Sequence, residues 1–217
     1  MVEKNNNNDT MAWMSMFATP LMSVQLDLDL EKLTELAFQI QNKDKKGAQK
    51  TNKGGWHSNN INEEKHEEFI RLKKEINYFS QIYRSEVFRG MIFNKNVTHS
   101  ISHIWININE KHHYNDLHIH GESTLSGAYY IKHDGLFENG DIIFKHPKAA
   151  YMNILHWPPG SIEKTNIMTA DYINITPKSN MLLIFPSWLE HKVEANLKND
   201  FRISVSFNIA TLIGEKS

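Results

Sequence analysis

His118-Ile119-His120-Gly121-Glu122 puts three groups able to bind a metal at alternate positions of one short stretch. On an extended chain, side chains two apart point to the same side, so His118, His120 and Glu122 share a face. Roughly seventy residues later, Pro186-Ser187-Trp188-Leu189-Glu190 leads into His191. Two histidines and one carboxylate, with open positions opposite, form the ligand pattern of non-haem Fe(II) oxygen chemistry. His120, Glu122 and His191 supply that set, with His118 as the alternate third ligand. Arg202-Ile203-Ser204 follows. Arg202 can anchor the far carboxylate of an acidic cosubstrate through its guanidinium fork, and Ser204 can add a hydroxyl.

If residues 118–130 run extended without a bulge, His118, His120, Glu122, Ser126 and Tyr130 form one polar row. A polar row facing a protein interior is costly unless something is bound there, and a metal supplies the compensation. The same row on a surface strand would simply meet water. Arg202, Ser204, Ser206 and Asn208 alternate with Ile203, Val205 and Phe207, which gives a second strand with one polar face. His112 and His113 read as solvated loop residues.

These groups need strands to hold them. From about residue 90 the period is two: Ile101, His103, Trp105, Asn107 and Asn109 on one face, Ile104, Ile106 and Ile108 on the other. Residues 125–131, 181–185 and 201–209 read as further strands, and Asp141-Ile142-Ile143-Phe144 as a hairpin partner. Upstream, Phe17-Ala18-Thr19-Pro20-Leu21 and Val24-Gln25-Leu26 read as an edge strand, with the proline near its start. Asp29 caps a helix carrying Leu30, Leu33, Leu36, Ala37 and Ile40 at helical spacing. A second helix over 62–84 carries the stripe Phe69, Leu72, Ile76, Phe79 and Ile82. Between them, residues 42–60 read as a loop containing Gly54-Gly55-Trp56-His57-Ser58. Residues 146–178 show no clear period and suit a lid, a binding loop or an ordered connection. Helices followed by many short strands is α+β, with a sandwich or small barrel as core.

The chain has 217 residues, enough for one sizeable core. We expect a polar leader over residues 1–12 and a single domain over 13–217, with helical support over about 29–84 and the strand core over about 90–213. Its 24 Lys and Arg balance 25 Asp and Glu, which argues against bulk nucleic-acid or membrane affinity. Cysteine is absent, so thiolate metal sites, disulfides and cysteine nucleophiles are excluded. No apolar run of about 18 residues occurs, and the polar start lacks a secretion signal, so a cytoplasmic protein is expected. A homodimer is compatible with the sequence but not indicated by it.

His-x-His before Ser126-Gly127-Ala128-Tyr129-Tyr130, then residues 185–193, Asn196 and Arg202-Ile203-Ser204-Val205-Ser206-Phe207-Asn208, resemble the 2-oxoglutarate-Fe(II) oxygenase family related to prolyl hydroxylases. Phe17-Ala18-Thr19-Pro20-Leu21, Gly54-Gly55-Trp56-His57-Ser58 and Trp105-Ile106-Asn107 resemble its N-terminal signatures, so the likeness spans nearly the whole chain. The resemblance implies a double-stranded β-helix (jelly-roll) core with amphipathic N-terminal helices packed on it, Fe(II), 2-oxoglutarate as cosubstrate, and O2. It implies that Arg202, Ser204, Tyr130 and, more weakly, Asn107 bind the cosubstrate. It further implies C–H hydroxylation of a peptidyl or free amino acid. Trp56, His57, Trp157 and the 146–178 segment could line the entrance, or serve only as packing and loop. The family pattern favours proline where Gly121 stands and often lacks an acid at Glu122, which keeps His118, His120 and His191 open as the ligand set. It also has glycine where Asn180 stands, a change that asparagine tolerates at positive φ. Two other readings stand beside this one: a cupin-type metal enzyme that uses no 2-oxoglutarate, and a non-catalytic jelly-roll binding protein.

Overall fold

A computed structural model describes residues 17–148, 158 and 160–214. The leader expected over 1–12 and Trp157 lie outside the described residues. The chain runs β1 (Met22–Gln25), α1 (Leu30–Lys43), β2 (Asn52–Lys53), β3 (Trp56–His57), α2 (Glu67–Val87), β4 (Val97–Asn109), β5 (Tyr114–His118) and β6 (Leu125–Lys132). A short 3-10 turn (Phe137–Asn139) then precedes β7 (Ile142–Lys145), β8 (Tyr172–Ile175), β9 (Met181–Pro186), β10 (His191–Val193) and β11 (Arg202–Ile213).

Asp29 starts α1 by accepting a hydrogen bond from the Lys32 amide at 3.1 Å. Leu33, Leu36 and Ala37 of α1 and Phe69, Leu72, Ile76 and Tyr83 of α2 are buried. They join Ile104, Ile106, Ile108, Tyr129, Val205 and Phe207 in one apolar cluster. Both helices therefore lie on the outer face of one sheet, and each fully buried Leu, Ile or Phe contributes roughly 1.5–3 kcal/mol.

That sheet has six strands in the order β1-β9-β6-β11-β4-β3; a second has the order β2-β5-β10-β7-β8. Two antiparallel sheets with strands alternating between them make the jelly roll. A smaller cluster holding Tyr130, Ile142, Phe144, Leu183, Phe185 and Leu189 lies between the sheets.

The structure revises three local expectations. First, β7 is not a hairpin partner of β6. It pairs with β10 and β8, because the chain crosses to the other sheet after Lys132. Second, Ile101 does not share the face of His103. Ser102 is left unpaired at a register shift that sets Asn208 opposite His103 and Ile209 opposite Ile101. One extra residue reverses the alternation, so Ile101 joins the helix-side core. Third, residues 118–130 are not one strand. β5 ends at His118, and β6 begins at Leu125 in the opposite sheet.

Candidate active site

The crossing from β5 to β6 creates the centre of the site. His118 closes β5 and His191 opens β10, and the two are directly paired across the ladder. His120 sits two residues past the end of β5, where its amide donates to the Ser187 carbonyl at 3.0 Å. The Pro186-Ser187-Trp188 corner thus holds the backbone that carries His120. Ligand nitrogens of His118, His120 and His191 all lie within 4.8 Å of one another. Three imidazoles converging so closely have the donor chemistry of a metal centre, with an open side left for substrates.

The ring tautomers suit that role. His118 Nδ1 lies 2.7 Å from the Asp116 carbonyl, and His191 Nδ1 lies 2.8 Å from the Leu189 carbonyl. A carbonyl accepts only from N–H, so the proton sits on Nδ1 and the Nε2 lone pair is free in both rings. Each acceptor lies two residues before its histidine, which makes this outer support a backbone feature. Burial and the neighbouring His118 and His120 rings push His191 down to about 3. Burial and His118 push His120 to about 4, and burial also lowers His118. All three rings are neutral at pH 7, the form a metal requires. Phe185 and Phe144 flank His191, with ring centres at 4.8 and 5.9 Å, and keep its environment dry.

Glu122, the carboxylate favoured as third ligand, does not join this group. It is exposed on the turn after His120, at the rim of the cavity. Period-two alternation ends with the strand. Two residues past His120 the backbone is turning, and the shared face is lost.

The opposite sheet supplies a wall with the chemistry to bind an anion. Ser204 of β11 is paired with Asn107 of β4 on one side and Tyr130 of β6 on the other. Cross-strand partners share a face, so the three predicted cosubstrate residues stand in one row with Arg202 two positions along. All four line a cavity of about 660 Å³ that also holds the three histidines. Arg202 is 2% exposed, and no carboxylate pairs with it among the described residues. Its Nη1 donates to the carbonyls of Glu194 (2.9 Å), Asn139 (3.1 Å) and Gly140 (3.4 Å). Burial lowers its pKa only to about 10, so it stays charged. A buried cation held by dipoles alone is incomplete until an anion arrives. Tyr130 lies beside it, and burial raises its pKa, so its hydroxyl remains a donor. Asn107 differs from the others: its amide nitrogen donates to Ser206 Oγ at 3.0 Å, and its Oδ1 is buried without a partner among the described residues. Tyr129, one residue from Tyr130, faces the helices and donates to Asn180 Oδ1.

Asn139 and Gly140, in the turn before β7, cradle Arg202. Gly140 has φ 97°, and a Cβ there would fall 1.9 Å from Arg202 Nη1. No spacing signal marks it, because the contact spans some sixty residues. At the entrance, His57 lines the cavity, whereas Trp56 turns away and donates from Nε1 to the Asp44 carbonyl at 2.8 Å.

Residues 103–208, just under half of the chain, match the family described as "Putative 2OG-Fe(II) oxygenase". That segment contains all eight residues named above as metal or cosubstrate candidates. No curated protein matches the chain significantly in sequence. Among solved structures, the chain is similar to the non-heme alpha ketoglutarate dependent epimerase SnoN from nogalamycin biosynthesis, at 11% identity and TM-score 0.61, covering 88% of this chain and 76% of that one. A Pseudomonas putida prolyl-4-hydroxylase is similar at 12% identity and TM-score 0.56, with 88% and 92% covered. HygX from Streptomyces hygroscopicus, solved with nickel and 2-oxoglutarate, is similar at 10% identity and TM-score 0.58, with 88% and 83% covered. At such identities the likeness is one of fold. Taken with the family match over residues 103–208, it supports reading the chain as a 2-oxoglutarate-dependent Fe(II) oxygenase of that family, one that uses O2.

Proposed function

We propose that this enzyme hydroxylates a C–H bond of a small molecule or peptide, with an amino acid side chain as the first class to test. His118, His120 and His191 hold Fe(II); Arg202, Ser204 and Tyr130 hold the distal carboxylate of 2-oxoglutarate. The observation that carries the reading is the facing pair of half-sites: three neutral imidazoles on one wall of the cavity, and an unpaired buried guanidinium on the other.

Bound Fe(II), 2-oxoglutarate and O2 supply the oxidation, which converts a substrate C–H to C–OH while 2-oxoglutarate becomes succinate and CO2. The protein's own tasks are binding, orientation and exclusion of water. Arg202 offers charge-assisted hydrogen bonds to the dicarboxylate, and Tyr130 and Ser204 can add neutral ones from the same row. Three neutral ligands leave the full 2+ charge on the metal, where a carboxylate ligand would remove one unit. That favours an anionic cosubstrate. The three carbonyls around Nη1 hold the guanidinium in one orientation before the ligand arrives. Phe144 and Phe185 keep water from the His191 side.

We take residues 13–217 as a single oxygenase unit acting in the cytoplasm. No described helix is long and apolar enough to cross a membrane. The deciding experiment is anaerobic addition of Fe(II) and 2-oxoglutarate. A weak visible charge-transfer band should appear, and succinate should form once O2 and a substrate are admitted. Metal-loaded protein with no such band would instead point to the cupin-type reading.

A further inference from the structure

The Gly54-Gly55-Trp56-His57-Ser58 segment belongs to neither half-site, yet it is tightly built. A Cβ at Gly54 (φ 82°) would fall 2.2 Å from the His113 ring, and one at Gly55 would fall 2.8 Å from Asn109 Nδ2. Only glycine lets the β2–β3 turn lie that close. Beyond it, the chain is laced to the edge of β4. Ser58 N donates to the Ile106 carbonyl (2.9 Å), and Ile106 N donates back to Ser58 Oγ (3.0 Å). Ile104 N donates to Asn60 Oδ1 (3.1 Å), and Asn62 Nδ2 donates to the Ile101 carbonyl (3.1 Å).

This lacing fixes His57. Its ring stacks on Trp105 with centroids 5.4 Å apart and planes 13° from parallel. Trp105 in turn stands 5.8 Å from the His120 ring, so the stack forms a wall running away from the metal ligands. His57 Nδ1 lies 2.6 Å from the Ser58 carbonyl, which places the proton on Nδ1 and leaves Nε2 as an acceptor. No described residue bonds Nε2, and the residue lines the cavity. Its cross-strand partner is Asn107, whose Oδ1 is a buried acceptor without a partner among the described residues. Two adjacent acceptors beside an aromatic shelf call for a donor-bearing ligand. Carboxylates cannot meet that need, because they only accept. Apart from Arg202 and the histidines, the charged residues lining the cavity are Lys50 and Glu122, both exposed; burial, with the Lys50 charge adding to it, keeps the His57 ring neutral.

We propose that the Trp105–His57 wall is the substrate subsite. His57 Nε2 accepts a hydrogen bond from an uncharged amide N–H or hydroxyl of a substrate whose flat or aliphatic face covers the Trp105 indole. The proposal rests on the oxygenase reading only for the reaction that follows binding.

The test is saturation-transfer NMR on metal-free full-length protein with two probe panels, N-acetyl amino acid N-methylamides and methyl glycosides. Each probe is paired with a counterpart methylated at its donors. His57→Phe keeps a ring on Trp105 but removes the acceptor, and His57→Gln restores one. At least one donor-bearing probe should bind the wild type, with its methylated counterpart and His57→Phe each about tenfold weaker, the loss of one hydrogen bond. His57→Gln should recover most of that binding. The panel that binds identifies the donor as amide or hydroxyl. Failure of both panels on the wild type overturns the subsite, and so does equal binding by methylated probes or by His57→Phe. The Fe(II)–2-oxoglutarate band, recorded separately on each protein, should be the same in all three. Its loss in the wild type would defeat the oxygenase chemistry while leaving the binding result to decide the subsite.

Discussion

His191 and His118 are direct cross-strand partners, with ring centres 4.4 Å apart, although 73 residues separate them in the chain. One ladder pair therefore sets two of the three converging imidazoles, and only His120 depends on the turn that follows. Their order of importance differs from what a two-histidine, one-carboxylate pattern predicts. His118→Ala should bring bound iron to background and abolish the charge-transfer band. Glu122→Ala should keep both and change stability by no more than about 0.5 kcal/mol, as for an exposed residue. Iron content and the anaerobic spectrum check both; loss of iron in Glu122→Ala alone would restore the carboxylate as a ligand.

Arg202→Met removes the cation from the anion-binding wall. We expect 2-oxoglutarate affinity to fall roughly 10- to 100-fold, the worth of a lost hydrogen bond to a charged group. Iron binding should be unchanged, because His118, His120 and His191 belong to the other wall. Titration of the band against 2-oxoglutarate separates the two. Unchanged affinity would remove Arg202 from the cosubstrate site.

Gly140→Ala tests the cradle behind that cation. The new Cβ would overlap Arg202 Nη1, and φ 97° already disfavours any side chain. A loss of about 1–3 kcal/mol in stability is expected from the backbone alone. A weaker 2-oxoglutarate response should accompany it, because the guanidinium must move. Thermal unfolding and the same titration read the two effects.

The metal-free protein should lose stability as pH falls below the ordinary histidine value of 6.5. His191, at about 3, and His120, at about 4, resist protonation when folded, and burial lowers His118, His57 and His133 as well. From pH 6.5 down toward 3–4 the unfolded chain binds more protons than the folded one. The contribution is complete above 6.5 and declines through that window, by up to about 1.4 kcal/mol per histidine per pH unit. Unfolding temperatures across this range check the slope; a flat profile would mean that these rings are not held neutral.

Asn180 joins conformation to contact. Its φ is 66°, which glycine would adopt freely. Its side chain also accepts from Leu28 N (3.1 Å) and from the Tyr129 hydroxyl, and donates to Leu28 O (3.2 Å). Asn180→Gly should therefore destabilise the protein by about 1–2 kcal/mol despite suiting the backbone. Chemical denaturation measures this, and a neutral or stabilising result would show that only the φ angle matters.

Much of the site could be read from residue types alone. The alternation of Arg202, Ser204, Ser206 and Asn208 with Ile203, Val205 and Phe207 assigned both faces of β11 correctly, because period two is a local property of an unbroken strand. Tyr130 inward and Tyr129 outward followed from the same rule. Tertiary structure decided whatever lay beyond a strand end or a bulge. The turn after His120 carried Glu122 to the rim and left His118 as the third converging ring, and the skipped Ser102 moved Ile101 to the other core. The carbonyls that cradle Arg202 are contributed by Asn139, Gly140 and Glu194, and every residue has a carbonyl, so no sequence pattern could single them out. Side-chain type and strand alternation are written along the chain. Which groups meet across two sheets depends on where each strand stops, and that is set by packing.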